Sequence, residues 1–382
     1  MSEHFPTDWS PGGREPRAYT DDLRLDHGVG RNDGGEWVLL RHADVVAVAT
    51  DPDRFSSAVS RFLQVPNGLD GERHRQVRGV LDRYFAPAAL EPFEPVFRAI
   101  ARDLFTSLPK GVAHDAVNGV GARFAVRAQS AWLGWPAALE EALLTWMADN
   151  HAATRSGDLG RTAEVADRFD DIIRSLIAGR RDAGDRAPAD LTTSLLSDEV
   201  DGRRFTDDEL VSILRNWTGG DLGSIALCVG VVMHYLADHP DLQQHLRGGA
   251  SAREITAVID EILRIDDPFV SNRRRTTCPV EVSGVRIPAG ETVKLHWTSA
   301  NRDAAVFGDP DAFRPEENAE HNLVYGIGPH VCPGRPLATL ELRVALEEAL
   351  AATTVIRLAD DPVPEREIAP VGGFRSVFVE FD

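Results

Sequence analysis

The 382-residue chain predicts a mostly α fold with small antiparallel β-sheets, in a single domain spanning residues 1–382. Three observations carry that reading. Apolar residues recur at helical spacing from residue 87 to about 247. The period then switches to alternation in "VEVSGVRIPAGETVKLHW". No Gly/Ser-rich or Pro-rich linker, repeat or low-complexity tract divides the chain. Hydrophobic content of 43% and charged content of 26% are those of an ordinary soluble globular protein.

In chain order, roughly the first thirty residues, rich in Pro, Gly and Asp, read as irregular cover. "EWVLLR" reads as a strand, and "HADVVAVATD" as a short helix closed by Pro52. Helices follow in "ALEPFEPVFRAIARDLFTSL", "GARFAVRAQSAWL", "ALEEALLTWMADNHA" and "EVADRFDDIIRSLIAGRRD". A longer one is expected over residues 207–238, with Thr206 as its N-cap, carboxylates in its first turn and Pro240 as its stop. "SAREITAVIDEILRI" is a further helix, and the alternating segment after it turns at Ser283 and Gly284. A Pro- and Asp-rich meander, a cysteine-bearing turn, the helix "PLATLELRVALEEALAAT" and short strands complete the chain.

A net charge of −19 argues against nucleic acid and against an anionic membrane surface as partners. The start of the chain shows no basic stretch followed by an apolar run, so no secretory signal is expected. The apolar stretch at residues 225–237 is short for a bilayer and contains His234. Cys228, Cys278 and Cys332 are odd in number and scattered, which implies no disulfide framework and a reducing, cytoplasmic location.

The most informative stretch is "YGIGPHVCPGRPLATLEL", residues 325–342. Gly326, Gly328 and Gly334 permit close backbone approach, and Pro333 and Pro336 stiffen the turn. Pro336 suits the first turn of the following helix, which places Cys332 just before a helix N-terminus, where a thiolate is stabilised. Such a thiolate suits a nucleophile, a zinc ligand or a haem-iron ligand. No C-x-x-C pair supports zinc, and His330 need not face Cys332 in an extended turn. A lone cysteine is most often an inert core residue, but this density of glycine and proline argues against that.

"YGIGPHVCPGRPLA" resembles the haem-binding loop of the cytochrome P450 family, aromatic-G-x-G-x-H-x-C-x-G-x-x-L-A, with Tyr325 where phenylalanine is usual. The resemblance implies the single-domain cytochrome P450 fold and haem b, with Cys332 as the iron's thiolate ligand. "EILR" pairs Glu261 with Arg264 at i, i+3, like the family's E-x-x-R, about seventy residues before the cysteine. Where the family adds an arginine to that pair this chain has Ala312, and Arg314 is the expected substitute. "DGERHRQVR" resembles the helix that offers His74 and Arg78 to the haem propionates, with Arg274 and His330 as the other partners. "ANRDAAVF" resembles a further turn of the family, so the likeness covers nearly the whole chain.

The long helix departs from the family's A-G-x-(Asp/Glu)-Thr and reads "NWTGGDLGSIALCVG". One register puts Leu222 at the alcohol position. Counting back without gaps from His239 instead puts Ser224 there, with Gly223 at the acid position and Asp221 one turn earlier. The gapless register is preferred, making Ser224 and Asp221 the catalytic candidates. A largely apolar substrate pocket is expected from Phe62, Leu63, Trp217, Gly220, Phe269, Val270 and Phe374. The resemblance implies a monooxygenase that uses O2 and electrons from a ferredoxin-type or similar protein to hydroxylate or O/N-demethylate a small organic molecule. Arg73, Arg75, Arg335 and Arg343 are the candidate basic face for that partner. The alternative is a peroxide-driven or non-oxygenating haem-thiolate enzyme. Peroxide-driven fatty-acid members are similar in carrying an arginine on this helix, which residues 219–224 lack.

Overall fold

The computed structural model of the chain describes residues 4–5 and 14–382. Its central element is the helix Asp207–Asp238. A capping box sets its start: the Glu209 N–H donates to Thr206 Oγ1 (3.2 Å) and the Thr206 N–H donates to the Glu209 carboxylate (2.9 Å). Every side from Ile225 to Met233 is buried, which explains the unbroken apolar run there. By length and composition this helix would pass for a membrane span, but most of its apolar window lies inside the protein. Pro240 does not merely stop it; it is the first residue of the next helix, Pro240–Arg247, where its missing N–H costs nothing.

Helices Ala122–Leu133, Leu159–Ala183, Ala252–Ile265 and Arg335–Ala352 pack around the central one. Gly230 allows one of the closest approaches, since a Cβ there would lie 2.3 Å from Val117 Cγ2. The resulting core runs from Val65 to Phe381, and a second, smaller one lies under a five-stranded sheet. That sheet is ordered Val29–Arg31, Trp37–Leu39, Thr292–His296, Ser271–Thr276, Phe55–Ser56.

Two features differ from expectation. The pairing of Thr292–His296 with Trp37–Leu39 is parallel, with Val293 opposite Trp37. Parallel pairs need a long crossover, and here the whole helical body supplies it. Near the N-terminus, Pro16–Asp26 is a helix rather than irregular cover. Glu15 caps it by accepting from the Arg17 and Ala18 N–H groups, Pro16 sits at its start, and Tyr19 and Leu23 are buried.

Candidate active site

The cysteine turn is held from three sides. The Cys332 N–H donates to the Tyr325 carbonyl (2.9 Å), and Arg78 Nη1 donates to the Val331 carbonyl (3.1 Å). Gly328 has φ of +79°, and a Cβ there would lie 2.7 Å from the Ala49 carbonyl, so both conformation and space demand glycine. Cys332 lines a cavity of about 430 Å³ and is exposed to it, with protein packed densely around the turn. Burial pushes its thiol above the usual range, and the N–H groups of Gly334 and Arg335 only partly oppose this. For the free thiol, enclosure therefore outweighs the helix N-terminus that the sequence emphasised.

One edge of the cavity is rich in donors. His74 and His330 lie with ring centroids 4.0 Å apart, and the Nε2 atom of each is buried without a hydrogen-bond partner. Arg274, also buried, donates from Nη1 to the Arg273 carbonyl (2.8 Å). Arg78, on the helix Gly71–Leu81, pairs with Asp82 (2.6 Å). The Asp70 carboxylate lies 3.6 Å from His330 Nε2. Burial lowers the pKa of His74, of Arg274 and, to about 4, of His330. Two orphaned imidazole nitrogens and a buried guanidinium leave hydrogen-bonding capacity on this edge that an anionic group would satisfy. The propionates of a haem fit that edge, and His74, Arg78, Arg274 and His330 would hold them while Cys332 would bind the iron.

The cavity roof comes from the long helix. Asp221, Ser224, Ile225 and Cys228 line it at i, i+3, i+4 and i+7, a single helical face, whereas Leu222 is 0% exposed and points elsewhere. The register with Ser224 thus puts a hydroxyl over the cavity. Asp221 Oδ2 is buried without a partner, as are both carboxylate oxygens of Glu341 on the helix Arg335–Ala352. Burial pushes Asp221 up to about 7 and, together with the Asp221 charge, pushes Glu341 well up.

A folded-state pKa raised above the unfolded value means that the folded chain holds an extra proton, so stability falls as pH rises through about 7. Asp221→Asn removes that penalty. Its stabilising effect in denaturant unfolding is expected to be about 2–3 kcal/mol larger at pH 8 than at pH 5. Equal effects at both pH values would show that Asp221 is satisfied in the loaded enzyme.

Below the turn, Glu261 and Arg264 form a bidentate pair (Nε–Oε2 2.8 Å, Nη2–Oε1 2.9 Å) at 2% and 0% side-chain exposure. Arg264 also donates to the carbonyls of Asn301, Pro310 and Ala312, and lies over the Phe307 ring. The expected third member does not enter as a side chain. Arg314 gives its backbone N–H to Glu261 (2.9 Å) while its guanidinium reaches toward exposed Glu317. Asn318 Nδ2 fills the remaining place on Glu261 at 2.7 Å. A neutral amide suffices because Arg264 already balances the charge.

The expected pocket residues divide. Trp217, Gly220 and Phe269 line the cavity. Val270 and Phe374 are buried outside its lining, Phe374 between the His234 ring and the Arg366 guanidinium. Phe62 and Leu63 are 58% and 45% exposed. Their segment is held by its backbone, since the Leu63 carbonyl accepts from Ser212 Oγ and Arg215 Nη2, which leaves the side chains in solvent. Asn67, Gln129, Asn216, Ser271 and Asn272 also line the cavity. The segments "SRFLQVPNG" and "PFVSN" and the helix around Trp217 are expected at the pocket, but hydrophobicity singles out their apolar residues rather than these. Cys228 was discoverable, being one turn after Ser224. The candidate basic face is largely neutralised: Arg73 pairs with Asp201 and Glu209, Arg75 with Glu72, Arg335 with Asp260, and Arg343 with Glu94 and Glu347.

A cysteine held in a rigid turn at a cavity whose rim gathers imidazole and guanidinium groups defines the class: a haem-thiolate protein. The chain belongs to the cytochrome P450 family. The family's sequence profile matches residues 254–371. The chain is 32% identical to the cyclomarin C epoxidase CymV of Salinispora arenicola, over 97% of each chain. It is also 32% identical to the erythromycin C-12 hydroxylase of Saccharopolyspora erythraea, over 83% of this chain and 82% of that one. Among solved structures it is similar to a mutant of P450 EryK in complex with erythromycin B (28% identity, TM-score 0.86, 96% and 95% coverage). It is likewise similar to ligand-free P450 TbtJ1 (27% identity, TM-score 0.86, 99% and 100% coverage). The protein is a cytochrome P450 monooxygenase with a haem-iron cofactor.

Proposed function

We propose that this monooxygenase oxidises a bacterial secondary metabolite, by hydroxylation, epoxidation or O/N-demethylation, in the cytoplasm, with haem b and a ferredoxin-type electron donor. The observation that carries the substrate class is the cavity wall. Trp217 and Phe269 supply apolar surface, while Asn67, Asn216, Ser271 and Asn272 add hydrogen-bonding groups to it. A largely apolar molecule with several amide, ester or hydroxyl groups matches that wall better than a hydrocarbon does. The relatives with named products, a cyclomarin epoxidase and an erythromycin hydroxylase, support the same class.

Bound haem would supply oxygen activation, with the cysteine thiolate favouring O–O cleavage. The chain's own residues orient substrate, exclude water and move protons. Ser224, on the cavity face of the long helix, presents a hydroxyl for proton delivery, and Asp221 stands one turn before it. Peroxide-driven chemistry has less support. Arg215, an arginine of this helix near the cavity, is held by Asp170 at 2.6 Å.

The test is a screen of metabolites for the spectral shift that accompanies displacement of water from the haem, followed by turnover with NADH and redox partners or with peroxide. Ser224→Ala is expected to leave substrate affinity unchanged and to lower product per NADH about tenfold, short of the 10²–10⁴ of complete general-acid loss. Unchanged coupling in Ser224→Ala would remove that residue from the proton path. Turnover only with peroxide would overturn the ferredoxin reading.

A further inference from the structure

We propose that His151 is the proton-relay partner of Ser224, supplying from the neighbouring helix the ionisable group that the long helix lacks at Gly223.

Two glycines of the long helix lie one turn apart. Gly219 and Gly223 occupy one face of the long helix, and the helix Glu140–Ser156 reaches that face with the side chains of Trp146 and His151. A Cβ on Gly219 would lie 3.6 Å from Trp146, whose ring stacks on Phe169 and whose Nε1 donates to the Val165 carbonyl, so this helix is firmly seated. A Cβ on Gly223 would lie 3.1 Å from His151 Nε2, tighter than ordinary van der Waals contact. The imidazole therefore occupies the space a side chain at 223 would need. Bare backbone and imidazole form a matched pair, and Ser224 is the next residue.

The surroundings suit a group that gives and regains a proton. His151 is half-buried, and no hydrogen bond to its ring is formed among the described residues. Burial and then the Arg155 charge favour the neutral ring, while Glu367, which accepts from Arg155 at 2.6 Å, opposes them. Asp221 lies on the cavity face of the long helix, and Asp149 is occupied by Arg168. Gly219, Gly223 and His151 are all half-buried, so the space between the two helices is not closed to water.

In the step proposed, the neutral ring takes a proton from solvent at Nδ1 and its Nε2–H bond breaks, the proton passing through water to Ser224 Oγ, while Ser224 releases its own proton into the cavity. The ring is left neutral as its other tautomer. No electrons move within the relay. His151 acts through Ser224 and is thus a positioning and relay residue, which rests on the reading of Ser224 given above.

The experiment compares His151→Gln, His151→Ala and His151→Ala/Gly223→Asp, each as haem-loaded enzyme. His151→Gln keeps a polar side chain but cannot carry a proton. It is expected to lower product per NADH about tenfold, with peroxide rising to match and substrate Kd within twofold of the parent. The double variant, with a carboxylate restored on the long helix, is expected to regain at least half of the lost coupling. Thermal unfolding supplies a readout free of turnover: Gly223→Ala should lower Tm by about 2–4 °C in the parent and not in His151→Ala. Full coupling in His151→Gln, no recovery in a double variant that binds haem and substrate normally, or equal Tm losses in both backgrounds would each overturn the proposal. If Ser224→Ala is uncoupled and His151→Gln is not, this inference alone fails. If Ser224→Ala stays coupled, the Ser224 reading fails and takes this one with it.

Discussion

Arg264→Ala is expected to cost about 3–5 kcal/mol and to leave little pigmented protein at 37 °C. Removing one partner of a buried pair strands the other charge without water. Here Glu261 would keep only the Arg314 N–H and Asn318 Nδ2, and three backbone carbonyls would lose their donor. Against a typical domain stability of about 5–15 kcal/mol this is a large share. Arg264→Lys should recover part of the loss, since an ammonium replaces the charge but not the fork that reaches Glu261 and the carbonyls together. Denaturant midpoints and the haem absorbance per milligram measure both effects. An Arg264→Ala protein within about 1 kcal/mol of the parent would show that the network is redundant.

Cys332→Ser is expected to abolish the thiolate-specific band at the blue edge of the visible spectrum in the reduced, carbon-monoxide-bound form, and oxygenation with it. A serine hydroxyl is not ionised at neutral pH and offers iron no soft anion. Cys228→Ser is the stringent control, because Cys228 lines the same cavity from the roof. Its thiol is pushed well up by burial and by nearby carboxylates, and so stays protonated. Cys278 packs beside the second core, away from the cavity. Both variants should keep the band. Its survival in Cys332→Ser, or its loss in Cys228→Ser, would move the ligand to the roof.

How much of the site was legible depended on the range of the interaction. The Cys332 turn could be read because its glycines and prolines constrain the residues beside them, and Gly328 sits at positive φ as such a turn needs. The Glu261–Arg264 pair could be read because i, i+3 spacing makes neighbours on any helix. Its other partners could not. Whether Arg314 offers a guanidinium or only an N–H, and that Asn318 completes the set, depends on how residues some fifty positions away fold back onto Glu261.

The pocket shows the same division. Helical period alone aligned Asp221 and Ser224, and Cys228 continues their row. Hydrophobicity suggested Phe62 and Leu63, yet the backbone of their segment is tied to Ser212 and Arg215 and their side chains face solvent. Residue type gives the tendency to be buried, but not which segment has room inside.

By itself, then, the sequence determined the helical class, the capped start of the long helix at Thr206, the rigid cysteine turn and the spacing of the buried ion pair. Each depends on groups within a few residues of one another, where covalent geometry brings them together. Only the tertiary structure decided the parallel pairing of Trp37–Leu39 with Thr292–His296, the orphaned nitrogens of His74 and His330, the raised pKa of Asp221 and the seat of His151 against Gly223. These depend on desolvation and on contacts between distant segments, and a carboxylate or an imidazole acquires its chemistry from what encloses it.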